Sequence, residues 1–131
     1  MSTEFHGRRV ARALDQYFGA WRWRRAVERE LRALKLTLTQ WLVLDACAAL
    51  NAKEDDPPSQ RAVADRLELD AMTVSQVMKT LATQGLVDRA PDVTGRTYRV
   101  LVTKKGHKLL QAAVAHVEAG TRTAEGARGP A

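Results

Sequence analysis

Residues 63–77 read VADRLELDAMTVSQV, and the order of apolar and polar positions in this stretch decides the fold. Val63, Ala64 and Leu67 share one face of a short helix, Leu69 fills the corner after it, and Val74 and Val77 begin the buried face of a second helix. Ala64 is small where the two helices cross, so the second can seat closely on the first. Ser59 and Asp70 are N-cap residues for the first and second helix. The spacing predicts a helix-turn-helix over 59–84, with its second helix over 71–84 and a buried stripe of Val74, Val77, Met78 and Leu81. Gly85 stands where a left-handed C-terminal cap needs a residue without Cβ. Glu68 stands where many such turns carry glycine, which predicts a looser or differently shaped turn.

Downstream, 86–90 and 98–102 are β-prone runs separated by Pro91, Asp92 and Gly95, which predicts a hairpin over 86–102. Thr103 then caps a last helix, 104–119, carrying Leu109, Leu110, Val114 and Val117. That helix is expected to stop near Gly120 and leave a disordered tail over 121–131. Upstream, Val10, Leu14, Tyr17, Trp21, Val27, Leu31 and Leu34 recur at helical spacing, which predicts a long first helix over 7–34 with a buried aromatic stripe. Its other face, with Arg8, Arg12, Arg22, Arg25, Arg29 and Arg32, reads as a solvated charged surface. Thr39 is a candidate N-cap for a central, buried helix over 41–50. The polar stretch 51–58, ending in two prolines, reads as an exposed loop.

A chain of 131 residues, 45% hydrophobic and 27% charged, has room for one domain and the balance of a globular protein. The formal charge of +6 favours a polyanionic partner. Lys53, Glu54, Asp55 and Asp56 form a mildly acidic patch expected to face away from any nucleic acid. No apolar run approaches the roughly 18 residues of a membrane span, and 1–18 has no secretory core, so a cytoplasmic protein without membrane contact is expected. Cys47, the single cysteine, lies in an apolar run and reads as an inert core residue. Neither it nor the three histidines have metal-ligand spacing. No cofactor motif, placed nucleophile or carboxylate pair points to an enzyme.

The chain resembles the MarR family of winged helix-turn-helix regulators over 36–117. Three pieces carry the resemblance: the helix-turn-helix itself, the exit Leu81-x-x-x-Gly85-Leu86-Val87-x-Arg89, and Arg96-x-x-x-Val100-x-Val102-Thr103-x-x-Gly106. The resemblance implies a mainly α fold with a small β-hairpin wing, flanked by N- and C-terminal dimerisation helices. In this register Arg96 matches the last arginine of the family's wing, while Val93 and Thr94 occupy places usually charged. A one-residue deletion aligns Asp92 instead, which leaves open the ion pair that braces the wing. The resemblance fades after Val117, where the family commonly adds another dimerisation helix, and this implies a reduced dimer interface.

With the second helix in a major groove, the face opposite its buried stripe meets double-stranded DNA: Thr73, Ser75, Gln76, Lys79, Thr80 and Thr83. Gln76 suits adenine and Lys79 suits phosphate. Ser59 and Gln60 open the preceding helix, whose free N–H groups favour a phosphate. Arg96 is placed at an adjacent minor groove or its phosphates; Arg89 is expected to pair with Asp88 or Asp92 if it does not reach DNA. One such module reads few base pairs, so a homodimer is expected. The resemblance further implies a small aromatic effector, with Tyr17, Trp21 and Trp41 as its candidate pocket. The competing reading is a winged-helix protein-interaction module without specific DNA binding.

Overall fold

The computed structural model describes residues 7–53 and 55–127. In chain order they form α1 (Gly7–Leu31), a 3-10 turn (Arg32–Leu34), α2 (Leu38–Lys53), α3 (Gln60–Leu67), α4 (Ala71–Thr83), β1 (Val87–Pro91), β2 (Tyr98–Val102) and α5 (Lys104–Ala127). The fold is mainly α with one antiparallel hairpin, in which Val87 faces Val102 and Arg89 faces Val100.

Alternating burial along these elements places the main core. Val43, Leu44 and Cys47 of α2, Val63 and Ala64 of α3, Val74, Met78 and Leu81 of α4, and Val87, Val100 and Val102 of the hairpin are all buried in one cluster. Each fully buried aliphatic side chain contributes about 1.5–3 kcal/mol, so α2 acts as the post on which α3, α4 and the hairpin are fixed. A smaller cluster of Val27, Leu31, Leu36, Leu38 and Ala113, with Trp23 and Trp41 packed on it, joins α1 and α5 to α2.

The caps of α3 and α4 are the expected ones. Ser59 Oγ accepts the Ala62 N–H at 3.0 Å, and Asp70 Oδ1 accepts the Thr73 N–H at 2.8 Å. For α2 the cap is Thr37, not Thr39. The Gln40 N–H donates to Thr37 Oγ1, and the Thr37 N–H donates to Gln40 Oε1, each at 3.0 Å. Thr37 alone has a glutamine three residues on, and this reciprocal box starts the helix earlier.

Asn51, expected in a loop, is instead on the last turn of α2. Its amide donates to Val100 O at 3.1 Å and its Oδ1 accepts the Val102 N–H at 2.9 Å, supplying β2 with an extra rung. Of the acidic patch, Asp55 and Asp56 are exposed and Glu54 lies outside the described residues.

The helix-turn-helix corner is neither loose nor unusual. Glu68 takes φ 55°, ψ 38°, and its N–H is donated back to the last turn of α3. A side chain therefore occupies the left-handed position that glycine would fill at lower cost.

Gly120 does not end α5. A Cβ built on it would lie 2.7 Å from Val27 Cα, so the glycine lets α1 and α5 approach closely there. Packing there outweighs the roughly 1 kcal/mol that glycine costs a helix. Residues 121–127, expected to be a disordered tail, continue the helix to Ala127, and 128–131 lie outside the described residues. Trp23 Nε1 donates to Thr121 Oγ1 at 2.9 Å, and His116 Nδ1 lies 3.7 Å from Glu30. These pairs set an antiparallel register in which Gly19 and Ala20 already meet Ala124 and Glu125. The aromatic stripe of α1 is nevertheless exposed rather than buried: Tyr17 is 62% and Trp21 46% accessible. Among the described residues, no single helix is long and apolar enough to cross a membrane.

Candidate nucleic-acid interface

The N-terminal ends of α3 and α4 and the tip of the hairpin converge on one side of the molecule. Between them runs an open cleft of about 870 Å³ lined by Gln60, Arg61, Met72, Ser75, Arg96 and Tyr98, among others. Asp65 is the one acidic residue on its walls.

Arg89 holds the three elements together. Its Nε donates to Gln60 Oε1 at 3.0 Å, an Nη donates to Ser75 Oγ at 3.2 Å, and its guanidinium lies 3.6 Å from the centroid of the Tyr98 ring. It therefore pairs with neither Asp88 nor Asp92. The β register explains this: Arg89 faces Val100 and Tyr98 is the diagonal neighbour on the same face, within reach of a long side chain.

The brace of the wing is Asp92 with Arg99. Arg99 Nε lies 3.3 Å from Asp92 Oδ1, and its Nη donates to Pro57 O at 3.1 Å. The Val93 N–H donates to the same carboxylate and, with Arg99, holds its pKa below the usual range. The Thr97 carbonyl accepts the Asp92 N–H at 2.8 Å, and Gly95 at φ +70° completes the turn. Arg96, on that turn, is exposed with its guanidinium outside these bonds.

The expected DNA-facing residues divide into two groups. Thr73 Oγ1 donates to Asp70 Oδ2 at 2.7 Å, Thr80 Oγ1 to Gln76 O at 3.3 Å, and Thr83 Oγ1 to Lys79 O at 2.9 Å. Ser75 and Gln60 are taken by Arg89, and Ser59 caps α3. Gln76, Lys79 and Arg96 are exposed without a side-chain partner in the structure. The bond from Thr73 also holds the Asp70 pKa below its ordinary value, keeping the cap of α4 ionised.

Sequence reasoning missed two residues and mispaired a third. Arg61 and Met72 line the cleft, and Arg89 serves as its internal tie. The signal for Arg89 was its place in the exit motif; what it binds required the hairpin register.

Tyr17, Trp21 and Trp41 are not brought together. Tyr17 stacks edge-on against Phe18, Trp21 lies under Arg25 at 4.7 Å, and Trp41 packs in the α1–α2–α5 cluster. A separate cavity of about 410 Å³ has a floor of Leu34, Leu36, Leu86 and Leu109 and a rim of Lys35, Lys105 and Lys108. Lys105 Nζ donates to Gln84 O, the C-cap of α4, at 2.8 Å. Cys47 is fully buried, and burial pushes its thiol up to about 12. Among the described residues no cluster of His, Cys, Asp or Glu is arranged to hold a metal ion.

A two-helix corner on a central helix, followed by a braced hairpin beside the second helix, defines a winged helix-turn-helix domain. Residues 34–97 match the sequence profile of the MarR family, to whose winged-helix regulators the chain is similar in fold. The PcaV transcriptional regulator of Streptomyces coelicolor is 25% identical, with 80% of this chain and 76% of that one covered at a TM-score of 0.64. A MarR-family protein of Mycobacterium tuberculosis, solved with p-aminosalicylic acid, is 24% identical over 91% of this chain and 86% of its own, at 0.69. The MepR–DNA complex of Staphylococcus aureus is 21% identical over 85% and 80%, at 0.71. No curated protein matches the sequence significantly.

Proposed function

We propose that the chain is a homodimeric cytoplasmic repressor that binds a pseudo-palindromic operator in double-stranded DNA, α4 lying in the major groove. The observation that carries this reading is the exposed face of α4. Its buried stripe is spent on the core, while Gln76 and Lys79 stand free beside a cleft flanked by Arg61 and Arg96. Gln76 is suited to adenine, Lys79 and Arg96 to phosphates, and the start of α3 at Ser59 and Gln60 to a phosphate through its backbone N–H groups. The MepR relative was solved on DNA.

The dimer rests on α1, which exposes Val10 and Phe18 beside Tyr17 and Trp21. A second copy covering that surface sets two α4 helices about one DNA turn apart. A small aromatic anion releases the operator. The chemistry that supports this is the leucine-floored, lysine-rimmed cavity against the C-cap of α4, together with the p-aminosalicylic acid bound by the M. tuberculosis relative.

Repeated selection of bound duplexes from a random pool tests the function. An enriched inverted repeat is expected, with salt-sensitive residual binding to unselected DNA. No enrichment and no salt-sensitive binding would instead leave a winged helix used for protein contacts.

A further inference from the structure

The surface of α4 contains an exposure that its capping and core packing do not require. Met72, on its first turn, is 72% accessible, although a methionine normally contributes its thioether chain to a core. It lies outside both buried clusters and lines the cleft with Arg61 and Arg96. At 3.6 residues per turn, positions 72, 76, 79 and 83 form one narrow stripe along the helix. Of the hydroxyls near that stripe, those of Thr73, Thr80 and Thr83 are donated inward and Ser75 is held by Arg89. The exposed side chains of that stripe with no partner among the described residues are Met72 and Gln76, with Lys79 behind them. Recognition helices present their N-terminal residues to the bases, which is where Met72 sits.

We propose that Met72 is a specificity-determining residue that reads the 5-methyl group of a thymine in the major groove, within about two base pairs of the base addressed by Gln76. Thymine is the one base whose major-groove edge carries an apolar group, and Met72 is the one large apolar side chain exposed on α4. Desolvating a flexible, unbranched thioether against that methyl discriminates thymine from cytosine without a hydrogen bond.

This inference rests on the operator-binding reading, and the experiment separates the two. From the selected inverted repeat, duplexes are made in which each thymine in turn is replaced by deoxyuridine, which removes only the methyl group. The full-length wild type is expected to lose about fourfold in affinity at one thymine per half-site, the value of one buried methyl, and about 15-fold when both half-sites are changed. Met72→Ala, with its fold confirmed by circular dichroism, is expected to bind thymine and uracil duplexes alike, and Met72→Leu to recover part of the difference. Wild-type indifference to uracil at every thymine overturns the role of Met72, as does an unchanged penalty in Met72→Ala, while operator binding itself stands. Failure to enrich any sequence overturns both.

Discussion

Arg89 sits over Tyr98, its guanidinium 3.6 Å from the ring centroid, and its Nε and one Nη donate to Gln60 and Ser75. One side chain of β1 thereby sets the angle between the wing, α3 and α4. Truncating it should cost about 1.5–5 kcal/mol, the sum expected for a part-buried cation–π contact and two hydrogen bonds. Arg89→Ala should therefore lower the urea midpoint and weaken DNA binding, and Arg89→Lys should recover little, since an ammonium lacks the planar fork. Unchanged stability and binding in both variants would show that the wing is held by other means.

Gly120 and Gly126 provide a controlled pair on one helix. A Cβ at Gly120 meets the backbone of Val27, whereas at Gly126 it meets nothing within 4 Å. Gly120→Ala should destabilise by about 1–3 kcal/mol through overpacking. Gly126→Ala should be neutral or stabilising by up to about 1 kcal/mol. Thermal unfolding of the two variants checks the α1–α5 register, and equal shifts would contradict it.

Exposure of Tyr17 and Trp21 on α1 predicts a dimer in solution. Sedimentation at micromolar concentration should give twice the chain mass, and Trp21→Glu should give a monomer of unchanged helicity. Without the second half-site, operator affinity should then fall by about 10²–10⁴. A monomeric wild type would remove α1 as the interface.

Burial moves the Cys47 thiol from its ordinary 9.0 to about 12. Above pH 9 the unfolded chain loses this proton while the folded chain keeps it, so this contribution to stability is full below pH 9 and declines as pH rises toward 12. Urea unfolding between pH 8 and 10.5 should show a fall that is smaller in Cys47→Ala. Native protein at pH 8 should also react with a thiol reagent far more slowly than unfolded protein. Labelling at the rate of a free peptide would contradict the burial.

The helix-turn-helix was legible because each of its determinants is local: Ser59 and Asp70 cap, Ala64 is small at the crossing, and Val74 to Leu81 repeat at helical spacing. Thr37 was legible in principle, since its glutamine partner is three residues away; Thr39 stands out only through proximity to the apolar run. Glu68 and Gly120 mislead in opposite ways. The first adopts the backbone that glycine favours because the corner packing demands it, and the second, which reads as a helix stop, serves a close approach to Val27 at the other end of the chain. Asn51 and Arg89 act across 49 and 29 residues, on Val100 and Gln60. Such pairings need the folded register, as does the engagement of the α4 hydroxyls within the protein.

The division of labour across the interface is the central claim, and one comparison tests it most directly: affinities of wild type, Gln76→Ala, Lys79→Ala and Arg96→Ala for the selected operator and for random duplex, over a range of salt. Gln76→Ala should weaken operator binding by about 1–3 kcal/mol and random binding little, so that the specificity ratio falls. Lys79→Ala and Arg96→Ala should weaken both and flatten the slope of log affinity against log salt by about two units in the dimer, one for the phosphate that each copy no longer neutralises. Binding equal to wild type in all three folded variants would mean that this face of α4 and the wing do not touch DNA.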